Sequence, residues 1–156
     1  GLDWFFSEVW PLLLQSHDSI QITLIGRGAQ SYASSMLQCT GLDYEPDLSV
    51  FYETHHVVII PILHGGGMRI KLLEAMAYGM PVVTTSKGNQ GVNAQANKHL
   101  CIVDSALDFF NAITLLLTDS ETRMQLEHAA QLWIASEFNQ TQIMQGVYSQ
   151  YNTWIS

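Results

Sequence analysis

The sequence GGGMRIKLLE, residues 65–74, brings together several groups that could bind a phosphate. Three consecutive glycines lack a Cβ, so the backbone can turn sharply and approach a ligand closely. Their amides, with those of the next two residues, are predicted to form the open amino end of a helix, which is a ready site for an anion. Arg69 and Lys71 oppose the dipole of that helix by about 0.3–1 kcal/mol each. A bound phosphate or diphosphate would reverse this penalty, so the stretch predicts an anion site.

Glu74 lies three residues after Lys71, and Tyr78 follows four residues later, so the three side chains are expected to share one helical face. A carboxylate just beyond a phosphate site is placed to accept two hydrogen bonds from a ribose diol. The alternative is a simple surface ion pair between Lys71 and Glu74, and the spacing alone leaves both interpretations open. The face expected to pack on a sheet consists of Ile70, Leu73 and Ala77.

The chain has a net charge of −8, but its few positive residues are concentrated at particular positions. Four of the six Lys and Arg residues follow predicted strands: Arg27, Arg69, Lys71 and Lys87. Ligands of doubly wound sheets bind beyond the carboxyl ends of the strands, so these cations are expected at one binding rim. A cationic rim on an acidic chain indicates a small anionic ligand. Nucleic acid is not expected as a partner, because a phosphate backbone requires a basic patch.

Strand-like apolar runs alternate with helical patterns along these 156 residues, of which 47% are hydrophobic. Strands are predicted at 20–26, 55–61, 81–85 and 99–103. Helices are predicted at 2–15, 30–39, 47–53, 67–78, 106–118, 120–138 and 139–155. The alternation predicts one α/β domain, a Rossmann-like doubly wound parallel sheet with helices on both faces. Because the chain opens with a helix, a strand is expected to precede it.

Three other motifs predict functions that the rest of the sequence does not support. GRGAQS, residues 26–31, resembles a dinucleotide fingerprint, but Ser31 replaces the third glycine. HGGG, residues 64–67, matches an esterase oxyanion loop, but no G-x-S-x-G nucleophile elbow occurs. The histidines lack metal-ligand spacing, so no metal and no cofactor is expected.

Cys39 and Cys101 are expected to be reduced and buried. The sequence shows no pattern of a signal peptide or of a membrane span, so the protein is expected to be cytoplasmic.

GGGMRIKLLEAMAYGMPVVTT, residues 65–85, resembles the donor-side signature of family-4-type retaining glycosyltransferases of group 1, which have the twin-Rossmann GT-B architecture. ITLIGRG, GLDYEPDLSVFYETHHVVIIP and SKGNQGVN occur in the same order and at similar spacing as in that family. The resemblance covers essentially the whole chain. It implies that residues 1–156 are the C-terminal, nucleotide-sugar-binding half of such an enzyme. The first strand of that half, and the N-terminal acceptor-binding domain, would precede Gly1.

The resemblance also implies roles for particular residues. Glu74 matches the glutamate that holds the nucleotide ribose, while Arg69 and Lys71 would stabilise the departing diphosphate as catalytic groups. The position of an earlier family glutamate that touches the sugar is Gly66 here, which puts the sugar in doubt. The implied substrate-binding residues are Gly65, Gly66, Gly67, Met68, Arg69, Lys71 and Glu74.

The implied partners are a UDP- or GDP-linked sugar and the N-terminal domain. Through that domain, the protein is expected to associate peripherally with a membrane. The implied reaction is hexosyl transfer to an acceptor hydroxyl with retention, and this chain alone is expected to be inactive. Two alternatives stay open. One is a non-catalytic or degenerate nucleotide-sugar-binding module, and the other is a nucleotide-sugar epimerase on the same fold.

Overall fold

The computed structural model describes residues 1–138, which form five short strands and seven helices. The strands are β1 (Ile22–Ile25), β2 (Cys39–Leu42), β3 (Val58–Ile60), β4 (Val82–Thr84) and β5 (Cys101–Ile102). The first helix, α1, continues through Leu2–Trp4, Phe5–Val9 and Trp10–Ser16, with π-helical geometry in the middle segment. The others are α2 (Ala29–Ala33), α3 (Ser49–Thr54), α4 (Ile70–Ala77), α5 (Ser86–Asn89), α6 (Ala106–Thr118) and α7 (Ser120–Glu137). The helix predicted at 139–155 lies outside the described residues.

All paired strands are parallel, which confirms the predicted α/β class. β1 pairs with β2 from Ile22 opposite Cys39 onward, and β4 lies between β3 and β5. The described strands nevertheless form two sheets, β1–β2 and β3–β4–β5, and not one continuous sheet. A cleft of 1350 Å³ lies between β1 and β3 and is lined by both.

The prediction of a helix over 30–39 is wrong at its second half. α2 ends at Ala33, and β2 begins at Cys39. Gly41 weakens the strand signal of CTGL, yet the fold requires it, because a Cβ there would lie 2.1 Å from the carbonyl oxygen of Ala29. The glycine that hides this strand from the sequence pattern is therefore what lets β2 pack against α2.

Buried aromatic rings hold α1 against α6. Phe109 is fully buried and contacts the ring edges of Trp4 and Phe5, with centroids 5.6 Å and 5.9 Å apart. The cap of α6 is Ser105, whose hydroxyl accepts the amide of Asp108 at 3.1 Å. α1 and α6 thus contribute to one core, together with residues of β1, α2, β4, β5 and α7.

The buried face of α4 differs from the predicted one. Leu72, Ala75 and Met76 are fully buried, whereas Ile70 is 73% exposed. Two sets of apolar residues occur at helical spacing along α4, and the periodicity alone does not determine which set is buried. The observed stripe packs in a second core with residues of β4 and with Ala130 of α7.

Candidate phosphate-binding site

The segment from Ile62 to Arg69, here called the glycine loop, connects β3 to α4. Two threonines at the end of β4 fix where it starts. The Thr84 hydroxyl donates to the carbonyl of Ile60 at 2.8 Å, and the Thr85 hydroxyl donates to that of Ile62. Thr85 also caps α5 by accepting the amide of Gly88 at 2.9 Å. These bonds attach the loop to the carboxyl edge of the sheet.

Two of the three loop glycines are required by backbone conformation. Gly65 has a φ of 105° and Gly67 a φ of 84°, which are values that side chains rarely tolerate. Gly66 has no positive φ, and a Cβ there would meet open space. The loop therefore needs glycine on both sides of Gly66, while Gly66 itself leaves room above the loop.

Arg69 lies one residue before α4, and not within its first turn as the sequence pattern indicated. Its carbonyl accepts the amide of Leu72 at 3.0 Å, and its side-chain Nη1 donates to the carbonyl of Gly66 at 3.1 Å. The guanidinium therefore folds back over the glycine loop. Its Nε is buried and has no hydrogen-bond partner among the described residues.

The amino end of α4 is open within the described part of the chain. No side chain accepts a hydrogen bond from its first amides. The glycine loop, the helix end and Arg69 thus present N–H groups from backbone and side chain at one place. This arrangement can bind an anion, because uncapped helix amides and a cation favour the same charge.

Lys71 and Glu74 form an ion pair with an Nζ–Oε2 distance of 2.8 Å. The side chains are 71% and 29% exposed, so the pair contributes only about 0.2–1 kcal/mol to stability. The surface ion pair considered from spacing is therefore what the structure shows. A weak, exposed pair leaves both groups available to a ligand.

Tyr52 of α3 lies next to Glu74 and Tyr78 at the candidate site, and the sequence pattern did not identify it. Its ring packs on that of Tyr78, with centroids 4.7 Å apart. Burial, followed by the negative charge of Glu74 and the neighbouring Tyr78, raises the pKa of Tyr52 to about 12. Because Tyr52 and Glu74 are far apart in sequence, only the folded chain reveals that they are neighbours.

The structure brings together some of the predicted rim cations and separates another. Arg27, after β1, lines the cleft between β1 and β3, and so does Lys71. Lys87 lines a different, smaller pocket, together with Ser86 and Asp104. Of the four predicted rim cations, Arg27 and Lys71 therefore line the cleft, and Arg69 lies over the glycine loop. Lys87 lies at the separate pocket.

Neither a metal cluster nor a membrane-spanning helix is found in residues 1–138. No group of three or more His, Cys, Asp or Glu side chains converges there. None of the helices in that range is long and apolar enough to cross a bilayer. Cys39 and Cys101 are free thiols; Cys101 is buried as predicted, whereas Cys39 is only partly buried, so that prediction is wrong for Cys39. Burial raises the pKa of both thiols.

Comparison with known proteins gives one family. The model of the family described as glycosyl transferases group 1 matches residues 1–119. A Haemophilus influenzae protein named as an uncharacterized glycosyltransferase is 25% identical over 144 residues, covering 85% of this chain and 40% of the relative. A 44.6 kDa Klebsiella pneumoniae protein of the cps region is 24% identical over 120 residues, covering 70% of this chain and 31% of the relative.

Solved structures share the fold. Anabaena HepE in complex with UDP and glucose superposes with a TM-score of 0.77 at 16% identity, covering 94% of this chain and 44% of that one. The chain thus spans less than half the length of each protein to which it is compared here.

Proposed function

Since the chain belongs to the glycosyl transferases group 1 family, we propose that it is the C-terminal, nucleotide-sugar-binding domain of a GT-B glycosyltransferase. The single observation that carries this proposal is the open amino end of α4, preceded by Gly65, Gly67 and the folded-back Arg69. That end lies beyond the carboxyl edge of a parallel sheet, where doubly wound folds bind ligands. The binding of UDP by the structurally similar HepE supports a nucleotide ligand.

The diphosphate of the donor would bind to the amides of the glycine loop and of Met68, with Arg69 and Lys71 supplying positive charge. The sugar would occupy the open space that a Cβ at Gly66 would meet. Glu74, released from its exposed pair with Lys71, would accept hydrogen bonds from the ribose diol. The stacked rings of Tyr52 and Tyr78 would flank Glu74 on that face. The donor is proposed to be a UDP- or GDP-linked hexose.

In the reaction, the bond between the anomeric carbon and the phosphate oxygen breaks, and its electron pair leaves with the diphosphate. The acceptor hydroxyl oxygen forms the new bond on the same face and gives up its proton to the leaving phosphate. Arg69, Lys71 and the helix amides would stabilise the charge that develops on the diphosphate, and each such donor is worth about 2.7–4 kcal/mol. No metal is needed in this scheme.

The acceptor would be bound by the N-terminal domain of the longer protein. Residues 1–156 alone are therefore proposed to bind the donor without transferring it. The longer protein is proposed to work in the cytoplasm, where it could meet a membrane-bound acceptor peripherally.

Calorimetric titration with UDP, GDP and ADP tests the proposal on the longer protein that contains this chain. We expect one nucleotide to bind, and Arg69→Gln and Lys71→Gln each to weaken it about tenfold to a hundredfold, because a hydrogen bond to a charged group is worth about 1.5–3 kcal/mol. Lys98→Gln is the matched control, because Lys98 is an exposed lysine in the segment before β5. Binding that survives both site variants unchanged would contradict the proposed site.

A further inference from the structure

Lys71 and Glu74 are oppositely charged groups on one face of α4, at the candidate site. They lie three residues apart, and the Nζ atom of Lys71 is 2.8 Å from the Oε2 atom of Glu74. Lysine before glutamate is the weaker order for a helical ion pair, and a cation in the first turn opposes the helix dipole. Folding stability therefore explains little of this arrangement.

Lys71 differs in its partner from Arg69, the other cation of the candidate site. The Arg69 guanidinium donates to the carbonyl of Gly66 at 3.1 Å and forms no ion pair with residues 1–138. The one other ion pair in that range joins Arg123 and Glu127 of α7, whose Nε and Oε1 atoms are 3.8 Å apart. Of the two cations at the site, Lys71 alone is therefore held by a carboxylate.

Glu74 is near enough to the open end of α4 for its charge to act there. It follows Ile70, the first residue of the helix, by four positions, which is about 6 Å along the axis. The carboxylate already acts on a neighbour through space, because its charge is the second cause, after burial, that raises the pKa of Tyr52 to about 12. In the same way it disfavours a further negative charge at the helix end.

Two kinds of anion would affect the pair differently. Inorganic phosphate or pyrophosphate at the glycine loop would attract Lys71 and leave Glu74 without its partner, next to a new negative charge. A nucleoside diphosphate would attract Lys71 in the same way, but its two ribose hydroxyls would donate to the carboxylate. Hydrogen bonds to a charged group are among the strong ones, so they replace the lost contact. Only a ligand with both parts gives new partners to both members of the pair.

We propose that the Lys71–Glu74 pair makes the site select nucleoside diphosphates against free phosphate and pyrophosphate. Glu74 then has two roles, because it binds the ribose diol and also disfavours anions that lack one. Selectivity of this kind comes from a cost imposed on the wrong ligand as well as from contacts with the right one. This second role rests on the donor site proposed above, and it adds the class of ligand that the site rejects.

Calorimetric titration of the longer protein that contains this chain tests the selection. The probes are inorganic pyrophosphate, titrated directly and in competition, and the nucleotide that the protein binds among UDP, GDP and ADP. Glu74→Gln keeps the size of the side chain and removes its charge. We expect it to bind pyrophosphate about threefold to tenfold more tightly than the wild type. The same variant is expected to bind the nucleotide at least about threefold more weakly, because the diol loses a charged acceptor.

Glu127→Gln is the matched control. Glu127 is also a partly exposed carboxylate in a helical ion pair, but it lies on α7. Its loss is expected to change both affinities by less than about twofold, because salt screens charges outside the site. A gain in pyrophosphate affinity equal to that of Glu74→Gln would overturn the proposal, because net charge alone would then explain it.

A double variant separates the ion pair from simple repulsion by Glu74. In the Lys71→Gln background, Glu74→Gln is expected to improve pyrophosphate binding by less than about half as much on a logarithmic scale, because only the repulsion remains to be removed. An equal gain with and without Lys71 would overturn the role of the pair.

Failure of the selection and failure of the donor site give different results. If the wild type binds neither pyrophosphate nor any of the three nucleotides, the donor site is contradicted and the selection with it. If Glu74→Gln weakens the nucleotide but leaves pyrophosphate binding unchanged or weaker, the donor site stands and the selection is overturned.

Discussion

Two threonine hydroxyl groups hold the glycine loop at the edge of the sheet. The hydroxyls of Thr84 and Thr85 reach the carbonyls at the start of the loop, and they need space on the side of α5. Gly88 provides that space, since a Cβ there would lie 2.0 Å from the Thr84 hydroxyl oxygen and 3.2 Å from the carbonyl oxygen of Ile60. The loop position therefore depends on a glycine outside the loop.

Gly88→Ala is expected to destabilise the protein by about 1–3 kcal/mol, because the added methyl group must displace a buried hydrogen-bonded threonine. Urea denaturation measures the change. Gly66→Ala is the control, because its Cβ would meet open space, and it is expected to stay within about 0.5 kcal/mol of the wild type. A Gly88→Ala protein as stable as the control would contradict this packing.

Tyr52 predicts a dependence of stability on alkaline pH. Its pKa of about 12 in the folded state exceeds the ordinary value of 10.0. Below pH 10 the phenol is protonated in both states, so its contribution is fully present; as the pH rises toward 12, only the unfolded state deprotonates and stability falls. Tyr52→Phe should make this decrease shallower in thermal melts. Tyr44→Phe, at an 81% exposed position, should retain the wild-type decrease because Tyr52 is still present.

At the scale of elements, local signals predicted the long helices and the buried strands. The prediction of 106–118 matches α6, because Ser105 supplies a cap and the apolar spacing is strong. β2 was missed because Gly41 is required by tertiary contact and not by strand propensity. The candidate anion site was predicted from glycines and cations that are adjacent in sequence. The contact of Tyr52 with Tyr78 and the buried face of α4 depend on packing between distant elements, which periodicity does not encode.

Ser105→Ala is expected to lower the free energy of unfolding by about 1 kcal/mol, because α6 loses the acceptor for the Asp108 amide. Ser136→Ala is the control, since that hydroxyl bonds a carbonyl inside α7 and caps no helix. Equilibrium denaturation followed by circular dichroism compares the two. A control variant as unstable as Ser105→Ala would contradict the capping role.

At the scale of the molecule, the aromatic contacts between α1 and α6 tie the start of the chain to its later half. Phe109 is fully buried between Trp4 and Phe5. Phe109→Ala is expected to destabilise the fold by about 3–5 kcal/mol, which is a large share of a total of about 5–15 kcal/mol. Thermal unfolding measures the loss. Leu132→Ala, at a 60% exposed position of α7, should be nearly neutral, and equal effects would contradict this account of the core.

The central claim is that a nucleotide diphosphate binds at the glycine loop and the amino end of α4. Hydrogen exchange of the longer protein, with and without saturating UDP or GDP, tests it most directly. The claim predicts slower exchange in peptides that cover residues 62–74, because their amides would then donate to the diphosphate. A nucleotide that binds but slows exchange only elsewhere, such as around the pocket of Lys87 and Asp104, would contradict it.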